Sequence, residues 1–236
     1  MNIIESLAIV ALAGLIHASF QLSVSVLTLM SGHAIGTKRS HARVVRLATA
    51  YVIGAGVMTV LLLSFVSLVL LDIFSSNAPQ LIWSIACGLL FGVGIAVWLF
   101  YYRKEAGTAL WIPRQMATHL SDRSKATKHS SESFSLGLTS VIAEVIFIIA
   151  PIVISALVLI QLDPMWQLIG IGLYTVISML SLGIVWALVG SGQSLSRIQK
   201  WRETNKKFLQ FAAGSGLVVL AFYVSVVKII SAGIGG

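Results

Sequence analysis

Charge is what this chain has least of. Asp, Glu, Lys and Arg make up 10% of its 236 residues, against about 25% in a soluble globular domain. That is too little to give a soluble core its polar skin. Cysteine is almost missing too. Cys87 is the single one, which excludes an intrachain disulfide and a CxxC redox pair, and it reads as a small packed hydrophobe. No Lys or Arg precedes Lys38, and the first apolar stretch is too long for a signal-peptide core, so no cleavable leader is expected. Neither a nucleophile–base constellation nor a full metal-ligand set is visible, so no enzymatic activity is expected.

What is present is apolar. Hydrophobic residues account for 57% of the chain and the mean hydropathy is +0.95, which points to an all-α integral membrane protein. A membrane-crossing helix needs about 20 apolar residues. Six stretches qualify, at roughly 5–31, 45–72, 80–102, 135–161, 165–190 and 208–231.

The connections alternate in charge. The first carries Lys38, Arg39, Arg43 and Arg46; the second, SSNAPQ, carries no positive residue. The third carries Arg103, Lys104, Arg114, Arg123, Lys125 and Lys128. The fourth is a tight turn at Asp163 and Pro164, and the fifth carries Arg197, Lys200, Arg202, Lys206 and Lys207. Basic loops remain in the cytoplasm, so loops one, three and five are expected inside and both termini outside. The net charge of +8 is then a topology signal and not a nucleic-acid footprint. The expected location is the cell (cytoplasmic or inner) membrane, crossed several times. Trp98, Tyr101, Tyr102 and Trp201 read as interfacial belt residues, and Lys228 as a snorkelling one.

The two ends of the chain match each other. GLIHASFQ (14–21) aligns with GLTSVIAE (137–144) at an offset of 123, and GVGIAVWLFY (92–101) with GSGLVVLAFY (214–223) at an offset of 122. Tyr51 and Tyr174 also stand 123 apart. The expected organisation is a first three-helix repeat at 1–103, a basic cytoplasmic linker at 104–134, and a second three-helix repeat at 135–236. Three is odd, so the second repeat must enter the membrane from the opposite side. Such 3+3 inverted-topology repeats recur in secondary transporters, with the site near the midplane. His119 and His129 fall in the linker and read as solvated.

Glu144 is the only acidic residue well inside a predicted span. An ionisable group at that depth is costly and reads as functional. In the alignment His17 faces Ser140 and Gln21 faces Glu144; His17 with Gln21, and Ser140 with Glu144, are spaced i, i+4 and share a helix face. The stripe extends through Ser25 and Thr28 in the first span, and through Ser133, Gly137, Pro151 and Ser155 in the fourth. The Ser and Thr residues read as interhelical glue. Pro151 removes a backbone hydrogen bond and is expected to kink or break the fourth span beside the site. The candidate substrate or ion site is therefore His17, Gln21, Ser140, Glu144 and Pro151. A Glu–His pair can relay protons, and imidazole with carboxylate can ligate a cation. No resident cofactor is expected; the one bound group this set admits is a divalent cation on His17 and Glu144.

Six spans in a 3+3 inverted repeat, with a polar motif in the first and fourth, resemble the lysine-exporter superfamily. GLIHASFQLSVSVLTLMSGHAIG is similar to the first-helix region of its GxxH-bearing branches, and WSIACGLLFGVGIAVWLFYYRK to its third helix. That superfamily includes amino-acid exporters, divalent-cation and nickel/cobalt exporters, and thiol-carrying cytochrome c biogenesis proteins. The Pro-Gly-Pro of the amino-acid exporters is absent here, and so are the helix-one and helix-four cysteines of the thiol carriers. The resemblance implies a proton- or cation-coupled exporter of a small cation or small zwitterion, using a midplane site between the first and fourth spans. The alternative is a non-transporting scaffold or assembly factor that docks partners on its basic loops. The expected partners are the lipid bilayer, a small ion or solute, and a second copy in a homodimer, but not nucleic acid.

Overall fold

The computed structural model describes residues 2–20, 22–36, 40–100, 114–192 and 195–230. Every regular element among them is a helix: α1 (Ile3–Ser19), α2 (Leu22–Gly36), α3 (His41–Phe74), α4 (Gln80–Phe100), α5 (Arg114–Ala126), α6 (Ser130–Leu159), α7 (Pro164–Ser178), α8 (Leu180–Gly190), α9 (Leu195–Thr204) and α10 (Lys206–Ser225). The last continues into a π-turn at Val226–Ile230.

Four of these are long and apolar enough to cross a bilayer singly: α3, α4, α6, and α10 with its extension, with mean hydropathies from 1.9 to 2.8. The other two predicted spans are bent pairs. α1 and α2 meet at 46°, and α7 and α8 at 52°. The molecule therefore has four such spans, or six if each bent pair is one. It is a multi-pass helical membrane protein.

The helix breaks fall elsewhere than at the internal proline. α6 runs unbroken through Pro151, so of the expected kink or break there a break does not occur. Its position explains this. α6 packs against α1, α2, α3, α4, α5 and α7 and is buried along most of its length, so its neighbours hold it together across the missing bond. The breaks fall instead at Phe20, which is extended (φ −75°, ψ 147°), and at Met179. Two segments read as loops are also partly helical: α5 lies in the predicted linker and α9 in the fifth connection.

The outer surface is apolar, as lipid requires. Phe65 and Leu68 of α3, Leu99 of α4 and Phe208 and Phe222 of α10 are all exposed. With lipid outside, burying apolar surface gives little drive, so close packing and buried hydrogen bonds must hold the helices together. Glycines supply the closeness. A Cβ on Gly54 would overlap the Phe134 carbonyl, and one on Gly137 would overlap the Tyr51 carbonyl, so α3 and α6 touch backbone to backbone. A Cβ on Gly14 would stand 3.0 Å from the Tyr174 carbonyl oxygen, which joins α1 to α7 in the same way. α4 and α10 are antiparallel: Trp98 Nε1 donates to Phe211 O at one end and Gln80 Nε2 to Ile229 O at the other. They cross at Gly94 and Gly214, each facing the other's carbonyl. At the α10 end, Lys228 Nζ donates to Gln161 Oε1 and lies 4.9 Å from the centre of the Trp83 ring.

Candidate functional site

A helix that stops inside a membrane leaves backbone N–H and C=O groups without partners, and lipid cannot satisfy them. The first break is closed from α6 and α8, and the second closes on its own turn. At the first, the carboxylate of Glu144 reaches from α6 to the start of α2. Leu22 N–H donates to Oε1 at 2.7 Å, and Ser23 Oγ donates to Oε2 at 2.8 Å. The Ser23 amide adds a further bond. The carboxylate does what an N-cap residue does, but from another helix, and it sits at the positive end of the α2 dipole. This explains how Glu144 can be only 2% exposed: a buried charge needs donors around it.

The end of α1 is closed by hydroxyls. Ser19 Oγ donates to Ile16 O at 2.6 Å, Phe20 N–H to His17 O at 3.1 Å, and Ser181 Oγ, from the first turn of α8, to Ala18 O. At the second break, Met179 N–H turns back to Thr175 O, and Ser178 Oγ donates to the same carbonyl at 3.0 Å.

Between the breaks lies a cavity of about 10 Å³, lined among others by His17, Ser23, Glu144, Ser178, Met179 and Ser181. That is room for about one water molecule. His17 and Glu144 thus share one buried space. Each spends the hydrogen bonds seen here elsewhere: His17 Nδ1 pairs with the Tyr174 hydroxyl at 3.1 Å. Ser140 lies outside the cavity lining. The Tyr51 hydroxyl bridges Ser140 Oγ at 2.7 Å and the Ser23 carbonyl at 2.9 Å, and Ser140 donates on to Gly137 O. Ser140 therefore supports α2 from behind. Pro151 lies along α6, outside the lining. Gln21, the remaining predicted site residue, lies outside the described residues.

The contacts around the site come in two sets whose members stand 123 residues apart. Gly14 abuts the Tyr174 carbonyl, and Gly137 that of Tyr51. His17 meets the Tyr174 hydroxyl, and Ser140 that of Tyr51. Both tyrosines are completely buried.

Sequence reasoning missed Ser23, Ser178, Ser181 and Arg202. Arg202 belongs to α9, in a connection read as basic and cytoplasmic, yet it is 4% exposed, and its Nη2 donates to Ser25 Oγ on α2 at 2.8 Å. The only signal for the serines is their spacing around each break, S-F-Q-L-S and S-M-L-S. Among the described residues, no three His, Cys, Asp or Glu side chains come together to hold a metal ion. A larger cleft of about 420 Å³ lies between α5 and the start of α6, beside His119 and Arg123. Both residues are exposed there, so that cleft lacks the desolvated chemistry of the smaller one.

Compared with known proteins, the chain matches no family model, and no curated protein or solved structure matches it significantly. The fold and site define a multi-pass helical membrane protein with a buried carboxylate at a helix break.

Proposed function

We propose that this chain is a secondary transporter: a proton- or cation-coupled exporter of a small cation or small zwitterion, in which Glu144 is the coupling group. One observation carries the reading. The carboxylate caps a half-helix at one break and faces a second break across a cavity the size of one water. Discontinuous helices with ionisable groups at membrane depth recur at the binding sites of secondary transporters. His17 is the partner group in that cavity. With Glu144 it is also the pair on which a divalent cation would sit, and the hydroxyls of Ser23 and Ser181 would complete the oxygen set.

In this reading the bent pairs α1–α2 and α7–α8 each count as one span. The six spans form a 3+3 inverted repeat with both termini outside, in the cell's inner membrane. The two matching sets of Gly–Tyr contacts support the repeat, and the basic loops support the orientation. The architecture is the one the lysine-exporter resemblance implies.

The same carboxylate also favours a second reading. Both its oxygens are engaged in holding α2, so Glu144 has a structural task that a static scaffold would need as well. A thermal-stability screen of purified protein against divalent cations, sodium and amino acids, run beside Glu144→Gln, separates the two. A transporter gains stability from one ligand class, by about 2.7 kcal/mol at a hundred times Kd, and the variant loses that gain. A scaffold shows no ligand response in either protein.

A further inference from the structure

The exposed residues of α6 form one strip. They are Ser131, Glu132, Ser135, Thr139, Ile142 and Ile146; the rest of the helix is buried or half-buried. From Glu132 onward the steps are three, four, three and four residues, so the strip stays on one face. Its chemistry changes with depth. At the start of α6 it is polar and belongs to the cleft of about 420 Å³ that His119 and Arg123 of α5 also line. Farther along α6 it is apolar, with Ile142 47% and Ile146 55% exposed. Ser131 and Ile146 stand 15 residues apart, about 22 Å along a helix. One leaflet with its headgroups is about as deep, half of roughly 40–45 Å.

We propose that this strip seats one phospholipid of the phosphatidylethanolamine type, with its headgroup in the α5–α6 cleft and an acyl chain along Ile142 and Ile146. Both charges of that headgroup find a counterpart among the cleft residues. Arg123 supplies a planar fork of N–H donors suited to a phosphate. Glu132 supplies an acceptor for the ammonium. Its Oε2 accepts from the Lys128 and His129 amides at 2.7 and 3.1 Å, which leaves Oε1 to a ligand. No ion pair closes between Arg123 and Glu132, and the hydroxyls of Ser131 and Ser135 make no hydrogen bond among the described residues. Those hydroxyls are therefore open donors, Ser131 at the level of the phosphate and Ser135 one turn deeper, at that of the ester carbonyls. The order along the strip, polar and then apolar, fits an amphiphile; a free solute would leave the two isoleucines unused. The carboxylate repels a purely anionic headgroup, and a choline headgroup has no N–H to give it. The inference rests on the membrane character of the chain and is independent of the transporter reading.

The test is a lipid titration of delipidated full-length protein in detergent, read by native mass spectrometry as retained lipid and by unfolding temperature. Phosphatidylethanolamine, phosphatidylcholine and phosphatidylglycerol with the same acyl chains are compared on wild type, Arg123→Gln and Glu132→Gln. Wild type should retain one phosphatidylethanolamine ahead of the other two. Arg123→Gln should raise its half-saturating concentration about tenfold, as the loss of a hydrogen bond to a charged group does. Glu132→Gln, which still offers an acceptor to the two amides, should erase the preference for ethanolamine over choline. Equal retention of the three lipids by wild type, or phosphatidylglycerol retained first, overturns the headgroup assignment. An unchanged midpoint in Arg123→Gln overturns the seat itself, and this exposed substitution decides that point even if Glu132→Gln fails to fold. Equal stabilisation by glycerophosphoethanolamine, which has no acyl chains, overturns the lipid in favour of a soluble ligand.

Discussion

Glu144 is held by donors from a helix other than its own, so its removal acts at a distance. In Glu144→Ala, α2 loses its cap and the Leu22 amide loses its acceptor. A lost cap costs about 1 kcal/mol, and a buried unsatisfied donor costs about 1–3 kcal/mol. The expected loss is therefore about 2 kcal/mol in thermal unfolding. Glu144→Gln keeps an acceptor for Leu22 and removes the desolvated charge, so it should unfold within about 1 kcal/mol of wild type. If the alanine variant were as stable as wild type, the capping role of the carboxylate would be wrong. At this scale the sequence is readable in one respect: an acid among apolar neighbours stands out, and so does the histidine in the matching stretch near the start of the chain. Arg202 does not stand out, because it is one of five basic residues in its connection and nothing in their spacing shows which one turns inward.

At the scale of elements, the contact between α3 and α6 depends on the bare backbone at Gly54 and Gly137. Gly137→Ala would force the two helices apart at Tyr51. That overpacking should cost about 1–3 kcal/mol, and it should also disturb the Tyr51 bridge to Ser23. Gly88→Ala in α4 and Gly172→Ala in α7 meet open space and should be neutral or slightly stabilising, because alanine favours the helix. Comparing the four unfolding temperatures, wild type included, checks this; equal losses at all three sites would refute the backbone contact. The apolar stretches forecast all the long helices, because length and hydropathy alone decide those. They do not forecast the breaks. Neither Phe20 nor Met179 is a proline or glycine, the residues that mark a helix end in a sequence. The ends at Phe20 are stabilised by Glu144 and Ser181, far along the chain, and local pattern reading does not register partners at that separation; the end at Met179 closes on Thr175 within its own turn. Pro151 shows the converse: the local rule says kink or break, and the surrounding helices keep α6 continuous.

At the scale of the whole molecule, the asymmetry between the halves is informative. The breaks at Phe20 and Met179 have counterparts 123 residues away, at Ala143 and Gly56, and both of those lie inside unbroken helices, α6 and α3. The two sets of contacts thus match while the helices that carry them do not, an asymmetry that the proposed transporter would show in one state of an alternating pair. The orientation can be checked with reporters in a Cys87→Ser background. Asn77→Cys, in the exposed connection between α3 and α4, should react with an impermeant maleimide from outside intact cells, whereas Lys128→Cys, before α6, should react only after the membrane is opened. The opposite pattern would invert the proposed topology.

The cap that Glu144 places on Leu22 joins residues 122 apart in the chain. A ribosome adding about 5–20 residues per second needs roughly 6–24 s to cover that distance. For that interval the nascent first span has no carboxylate to close its break. The bend between α1 and α2 is thus a late event in biogenesis, completed only when α6 is inserted, and a chain truncated before α6 is expected to carry its first span as a different, uncapped helix.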